Sequence, residues 1–105
     1  MPIETPQAST RAPRLLIVDD DSGQRSLLDS FLSSQGFETV PVSSGERALE
    51  VLRQQKINMM ISDVRMPGLT GLETLRLARK EHGSFPILLV TAFADVRDAV
   101  GARCV

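Results

Sequence analysis

The sequence has no tryptophan or tyrosine, only four phenylalanines, and a single cysteine, Cys104, among its 105 residues. One cysteine cannot form an intramolecular disulfide, and such usage is typical of a reducing compartment. Few aromatic rings leave little surface on which nucleic-acid bases could stack. The net charge of −1 provides no basic field to attract nucleic acid or a membrane surface. These absences argue against a disulfide-rich secreted domain and against direct nucleic-acid binding.

Long apolar runs are also missing. No stretch approaches the roughly 20 residues that span a bilayer, and the N-terminus lacks the apolar core of a signal peptide. We therefore expect a cytoplasmic chain with no membrane partner. A length of 105 residues allows one domain with its own core, and 42% hydrophobic with 24% charged residues is ordinary for a soluble globular protein.

Short apolar runs alternate with helical patterns along most of the chain. Residues 1–13, rich in proline, serine and threonine, are predicted to be a flexible leader, and 14–105 one domain. Strands are predicted at 15–18, 37–42, 57–62 and 87–90, and helices at about 22–35, 45–55, 70–82 and 94–105. This alternation predicts an α/β fold in which right-handed crossovers join a parallel sheet with helices on both faces.

Local signals set several helix boundaries. Ser43 with Glu46, and Thr70 with Glu73, have the spacing of capping boxes at the starts of the second and third helices. The periodicity of the first helix predicts an inner face of four apolar residues, Leu27, Leu28, Phe31 and Leu32.

Acidic residues follow two of the predicted strands. Asp19 and Asp20 come directly after the first apolar run, and Asp63 comes after the third strand. A lone aspartate at a strand end is usually a turn or capping residue, but the carboxyl ends of parallel strands meet at one edge of a sheet. Carboxylates gathered there would raise one another's pKa, and Mg2+, which prefers oxygen ligands, would relieve the repulsion. The pattern therefore predicts an acidic Mg2+ pocket with one carboxylate free to react.

Three motifs in order at the ends of successive strands make the chain similar to the receiver domain of two-component response regulators. They are Asp19-Asp20 after the first strand, Asp63 followed by Met66-Pro67 and Gly71, and Thr91-Ala92 after the fourth strand. The resemblance extends from residue 14 to about residue 100. It implies a flavodoxin-like sheet with the strand order 2-1-3-4.

The resemblance also implies a role for individual residues. Asp63 would accept a phosphoryl group from a phosphohistidine of a sensor histidine kinase, giving a labile acyl phosphate. Mg2+ would be held by Asp20, by Asp19 partly through water, by Asp63, and by the backbone carbonyl of Arg65. The Thr91 hydroxyl would hydrogen-bond the phosphoryl group and draw the following loop inward.

The chain departs from the family pattern after its fourth helix. Receiver domains continue with a fifth strand, a lysine at its end and a fifth helix, so the domain is expected to be incomplete at its C-terminus. Lys56 and Lys80, the two lysines present, lie in the wrong places to substitute. We expect weaker phosphotransfer and switching, and self-association through an exposed fourth strand, Ile87 to Val90. An output domain or downstream effector would lie outside this chain.

Two other functions remain open at this stage. A degenerate receiver could keep the fold as a non-switching interaction module, for which the missing lysine argues. A phosphohydrolase with an aspartate nucleophile usually has a second acid two positions later, where this chain has Arg65. We therefore expect a signalling module rather than a turnover enzyme.

Overall fold

A computed structural model describes residues 12–90 of the chain. The elements are β1 (Arg14–Val18), α1 (Ser22–Ser34), β2 (Glu38–Val42), α2 (Gly45–Gln54), β3 (Met59–Asp63), α3 (Gly71–His82) and β4 (Ile87–Val90). Most of the predicted leader and all of the predicted fourth helix lie outside the described residues. No helix within 12–90 has the length and apolar character needed to cross a membrane.

The four strands form one parallel sheet in the order β2-β1-β3-β4, as predicted. The chain moves from β1 outward to β2 and then returns past β1 to β3, so the strand order reverses between β1 and β3. In an open parallel sheet, this reversal creates a crevice at the carboxyl ends of the two strands. Both acidic motifs of the sequence follow or end these two central strands.

The main core lies between the sheet and the pair formed by α2 and α3. Because side chains alternate along a strand, one face of β1 and β3 contributes Leu16, Val18 and Met60 to this core. The two helices supply small and branched apolar residues against that face, Ala48, Leu49, Val51, Leu52 and Ala78. The central strands are thus held rigidly, which fixes the positions of the residues at their carboxyl ends.

The predicted inner face of α1 is wrong for two of its four residues. Leu27 is 71% exposed and Phe31 is 59% exposed, whereas the other two leucines of that set are half-buried. The helix is turned so that Asp29 faces β2, where its carboxylate accepts a hydrogen bond from the Thr39 hydroxyl. Leu27 and Phe31 lie on the exposed side of the same helix, and this hydrogen bond joins α1 to β2.

The predicted capping box at the start of α3 is confirmed. The Glu73 N–H donates to the Thr70 hydroxyl at 3.1 Å, and the Thr70 N–H donates to the Glu73 carboxylate at 2.9 Å. The end of α3 is also as expected, because Gly83 takes a positive φ of 76° that glycine adopts without strain. The start and end of α3 are therefore both set by local sequence.

The capping box predicted for α2 is wrong. The N-cap is Ser44, not Ser43, and its hydroxyl accepts from the Arg47 N–H at 3.1 Å. The Glu46 carboxylate does not reach back to the start of its own helix. It accepts from the backbone N–H of Leu69 at 3.4 Å, because the loop before α3 packs against this end of α2.

Candidate functional site

The two buried acids of the site are positioned by adjacent strands. Val18 is opposite Ser62 in the β1–β3 register, so the next residues, Asp19 and Asp63, lie side by side at the carboxyl ends of the two strands. Asp63 is itself the last residue of β3, so the strand ends one residue later than the sequence predicted. Its neighbour Val64 donates its N–H to the Val90 carbonyl at 2.8 Å, which holds the strand end in the sheet.

The structure brings Asp19, Asp20 and Asp63 together. One carboxylate oxygen of each lies within 4.8 Å of the others. Asp19 is 0% exposed and Asp63 4% exposed, whereas Asp20 is exposed. The cluster is therefore closed on the protein side and open to solvent through Asp20. Three carboxylate oxygens at this spacing suit a hard divalent cation such as Mg2+.

Burial and neighbouring negative charges disfavour the ionised forms of Asp19 and Asp63. Burial raises the pKa of Asp63, and the nearby charges of Asp19 and Asp20 raise it further, although the Arg65 N–H opposes this. Burial likewise raises the pKa of Asp19, against a hydrogen bond from the Asp21 N–H. A bound cation would stabilise the ionised form of both groups.

One oxygen of Asp19 bears directly on whether a cation fits. Its Oδ1 accepts the Asp21 N–H at 2.9 Å, whereas its buried Oδ2 has no hydrogen-bond partner among residues 12–90. A buried carboxylate oxygen without a partner is unfavourable unless something positive approaches it. This oxygen and the clustered carboxylates together provide the donor set that Mg2+ requires.

The loop after Asp63 begins with a backbone hydrogen bond to the acid itself, from the Arg65 N–H to Asp63 Oδ1 at 3.3 Å. Gly71 then returns close to the strand end, where an added Cβ would lie 2.1 Å from the Asp63 carbonyl oxygen. The Gly71 N–H also donates to the Val64 carbonyl at 3.0 Å. Gly71 thus approaches the end of β3 so closely that this position requires a glycine.

Within residues 12–90, neither Lys56 nor Asp21 belongs to this cluster. Thr91, with Ala92, lies outside the described residues. Lys56 lies beside Arg14 and Asn58 at the amino ends of the strands, the opposite edge of the sheet. Asp21 is the N-cap of α1, where its carboxylate accepts the Gln24 N–H at 2.8 Å.

Sequence reasoning did not identify Arg25 as a neighbour of the site. Its guanidinium donates to the backbone carbonyl of Asp19 at 2.7 Å and so fixes the turn that carries Asp19 and Asp20. Arg25 lies four residues after the N-cap Asp21, one helical turn along α1. This spacing places it on the side of the helix that faces the turn with Asp19 and Asp20. Helical spacing from a correctly placed N-cap could have indicated this contact.

Comparisons with known proteins agree with this architecture. Residues 15–104 match the response regulator receiver domain family. Over 91 residues the chain is 42% identical to the response regulator protein FleR of Pseudomonas aeruginosa, covering 87% of the chain and 19% of FleR. It is 36% identical over 94 residues to the transcriptional regulatory protein GlrR of Escherichia coli, covering 90% of the chain and 21% of GlrR. The chain thus spans about a fifth of the length of these relatives.

Solved structures show the same fold. A response regulator receiver protein from Pseudomonas putida superposes with a TM-score of 0.75 at 34% identity, covering 87% of this chain and 77% of the other. The response regulator TrrA from Thermotoga maritima, crystallised in complex with Mg(2+)-BeF, gives a TM-score of 0.74 at 33% identity, with 86% and 78% coverage.

The sheet order and its acidic carboxyl edge define an α/β protein of the flavodoxin-like class. Within that class, the chain belongs to the response regulator receiver domain family. Receiver domains are signalling modules of two-component systems rather than turnover enzymes, and Mg2+ and phosphorylation are typical of them. The resemblance drawn from the sequence motifs is therefore confirmed.

Proposed function

We propose that the Asp63 carboxylate accepts a phosphoryl group from a sensor histidine kinase, beside a Mg2+ ion. Asp19, Asp20 and Asp63 would hold the ion with the backbone carbonyl of Arg65. The observation that carries this proposal is the meeting of three carboxylate oxygens within 4.8 Å at the reversal of strand order. Oδ2 of Asp19 supports it, since this oxygen is buried beside the cluster and has no hydrogen-bond partner within the described range 12–90.

The transfer is a substitution at phosphorus. An Asp63 oxygen attacks the phosphoryl group, an O–P bond forms, and the N–P bond to the kinase histidine breaks with its electron pair remaining on the imidazole nitrogen. The Arg65 N–H orients the carboxylate through Oδ1. Bound Mg2+ supplies positive charge that stabilises the developing negative charge on the phosphoryl oxygens. The Thr91 hydroxyl is proposed to hydrogen-bond the phosphoryl group of the product.

No contact or charge among residues 12–90 favours either alternative. A phosphohydrolase would need a second acid to activate water, but Arg65 occupies the expected position and its N–H already contacts Asp63. A degenerate receiver would have no reason to keep two buried carboxylates with raised pKa values beside a third. The arrangement instead suits phosphorylation of Asp63 beside a bound cation.

We also propose a domain organisation, a cellular location and a mode of self-association. Residues 1–13 form a leader and 14–105 one receiver domain, which acts in the cytoplasm and regulates an output domain or separate effector. Self-association through β4 is a further proposal. Within the described sheet β4 is an edge strand, it contains no charged residue or proline, and its Leu88 is 47% exposed.

Labelling with a small phosphodonor tests the proposed acceptor. The chain is incubated with the donor, with and without Mg2+. The phosphorylated fraction is measured by phosphate-affinity electrophoresis and mass spectrometry. We expect Mg2+-dependent labelling of the wild type and none of Asp63→Asn. Asp21→Asn is the matched control, because it removes a nearby carboxylate while asparagine still caps α1.

Three results would reject the proposal. Labelling that persists in Asp63→Asn would remove Asp63 as the acceptor. Continuous release of phosphate from phosphoesters, over many turnovers, would support the phosphohydrolase instead. The absence of any labelling or Mg2+ response in the wild type would favour the degenerate receiver.

A further inference from the structure

Glu46 connects α2 to the loop that follows the proposed phosphoacceptor. It lies in the first turn of α2, and its Oε2 accepts the backbone N–H of Leu69 at 3.4 Å. The same carboxylate lies against Gly68, where an added Cβ would be 3.0 Å from Oε2 and 3.6 Å from Oε1. Gly68 has a positive φ of 74°, so this part of the loop is turned tightly beneath the carboxylate.

The neighbouring residue of α2 brings the two elements into close contact. An added Cβ on Gly45 would lie 2.1 Å from the Thr74 hydroxyl and 3.0 Å from Cβ of Leu69. Gly45 and Thr74 are both buried. The start of α2 therefore packs directly on α3 and on the end of the loop, and this packing sets where the Glu46 carboxylate can reach.

The loop between Asp63 and α3 is held in three further ways. At its base the Gly71 N–H donates to the Val64 carbonyl at 3.0 Å. At its start the Arg65 N–H donates to Asp63, and in its middle the Met66 side chain is 7% exposed within the core. Glu46 acts on the remaining part of the loop, near Leu69, and it does so from a different element.

We propose that Glu46 is a positioning residue for the Mg2+ site, acting through the loop that carries Arg65. This inference rests on the proposed function, which assigns the Arg65 carbonyl to the metal. By holding the outer part of the loop, the Glu46 acceptor keeps the Arg65 backbone in the conformation that binds the ion. Groups that orient metal ligands in this way commonly affect metal affinity without touching the metal.

A simpler role for Glu46 would be to stabilise α2. A carboxylate in the first helical turn interacts favourably with the positive end of the helix dipole. That role requires the negative charge, whereas the positioning role requires a hydrogen-bond acceptor. Glutamine keeps an acceptor oxygen and loses the charge, so the two roles are separable by substitution.

The test measures Mg2+ affinity and thermal stability for the full chain and three variants, Glu46→Ala, Glu46→Gln and Glu50→Gln. Mg2+ is titrated and followed by NMR chemical shifts of the amides of Asp20, Asp63 and Arg65, at a temperature where every variant is folded. Glu50 is the control, since it is an exposed carboxylate on the same helix that pairs with Arg47. We expect about fivefold weaker Mg2+ binding in Glu46→Ala, the effect of losing one hydrogen bond. Glu46→Gln and Glu50→Gln should bind Mg2+ nearly as the wild type does.

The other outcomes contradict this inference. Wild-type affinity in Glu46→Ala would show that the contact with Leu69 does not position the site. Equal weakening in Glu46→Ala and Glu46→Gln would assign the effect to charge and overturn the positioning role. A wild type that shows no site-specific response to Mg2+ would instead reject the proposed function itself, so the two failures are distinguishable.

Discussion

At the scale of single residues, Asp63 combines low exposure with two acidic neighbours. The side chain is 4% exposed, and burial together with Asp19 and Asp20 raises its pKa. Such a carboxylate opposes folding when it is ionised and no cation is bound. The residue proposed to react is therefore also one that the fold holds at a cost in stability.

Replacing Asp63 with asparagine should stabilise the metal-free protein. The substitution keeps the shape of the side chain and removes one charge from the cluster, so we expect the free energy of unfolding at neutral pH to rise by about 1 kcal/mol. Chemical denaturation in the presence of a chelator measures this change. Added Mg2+ should then stabilise the wild type but not Asp63→Asn. A less stable Asp63→Asn variant without Mg2+ would contradict the repulsion described for this cluster.

Sequence reasoning placed the three aspartates together because the ends of neighbouring parallel strands lie at one edge. It could not place Glu46, since both Ser43 with Glu46 and Ser44 with Arg47 have a three-residue spacing near the start of α2. Only the packing of Leu69 against that end of the helix decides where the carboxylate points. The rule for the ends of parallel strands therefore predicted the aspartate cluster, whereas local spacing near the start of α2 failed for the contact between Glu46 and Leu69.

At the scale of secondary-structure elements, the start of α3 depends on its approach to β3. Gly71→Ala would place a methyl group 2.1 Å from the Asp63 carbonyl oxygen, and a backbone atom cannot move aside cheaply. We expect a loss of about 2–3 kcal/mol in stability, in the range of overpacked sites. Denaturant unfolding measures the change.

Gly23→Ala is the matched control for this prediction. Gly23 also lies in the first turn of a helix, but the nearest atom to its added Cβ is Asp21 Oδ2 at 3.5 Å, an ordinary contact. Alanine favours the helix, so this variant should be unchanged or up to about 1 kcal/mol more stable. Equal effects in the two variants would show that the close approach at Gly71 does not limit stability.

The ends of α2 and α3 are linked by an exposed ion pair between Arg53 and Glu81 at 3.0 Å. The hydrogen bond and charge of Arg53 lower the pKa of Glu81 from its ordinary value of 4.5. The Glu81 carboxylate therefore binds a proton less tightly in the folded protein than in the unfolded chain. As a result, the pair stabilises the fold above about pH 4.5 and loses its effect as the pH falls further.

The pH dependence of an Arg53→Gln variant tests this pair. Its stability should be slightly below that of the wild type at neutral pH, and the difference should shrink as the pH falls below 4.5. Denaturant unfolding at several pH values measures this trend, at low salt where exposed pairs are least screened. A difference that stays constant through the acidic range would show that the pair does not couple to the protonation of Glu81.

The orientation of α1 shows that apolar periodicity alone does not predict which face of a helix is buried. Four apolar residues suggested a broad inner face, but only two of them turn toward the sheet. Asp29 of the same helix hydrogen-bonds Thr39 of β2. Apolar spacing within α1 could not predict this contact, because it joins residues of different elements.

At the scale of the whole molecule, the exposed strand β4 predicts self-association. Leu88 is 47% exposed on an edge strand of the described sheet, where unpaired backbone groups can bind another chain. We expect sedimentation at micromolar concentration to detect species larger than the monomer. Leu88→Lys should reduce them, because a charged edge residue opposes strand pairing.

Leu72→Lys provides the control for this prediction. Leu72 has a similar exposure of 40% but lies on α3, away from the strand edge. Its substitution should leave the association unchanged. A stable, folded monomer for the wild-type chain at micromolar concentration would contradict self-association through β4.

The overall fold was predicted in two parts. Alternating apolar runs indicated the strands, the helices and a parallel sheet from the residues themselves. The order β2-β1-β3-β4 came from the resemblance carried by the acidic motifs, since nothing in periodicity alone fixes which strands are neighbours. The same order explains why Asp19 and Asp63, 44 positions apart in the sequence, meet at the carboxyl edge.

The most direct test of the central claim is to locate the phosphoryl group after reaction with a phosphodonor. Borohydride reduces an aspartyl phosphate to homoserine, which peptide mass spectrometry assigns to one position. We predict homoserine at residue 63 when Mg2+ is present and little or none when a chelator is added. Modification at any other residue, or equal modification at residue 63 without Mg2+, would contradict the account.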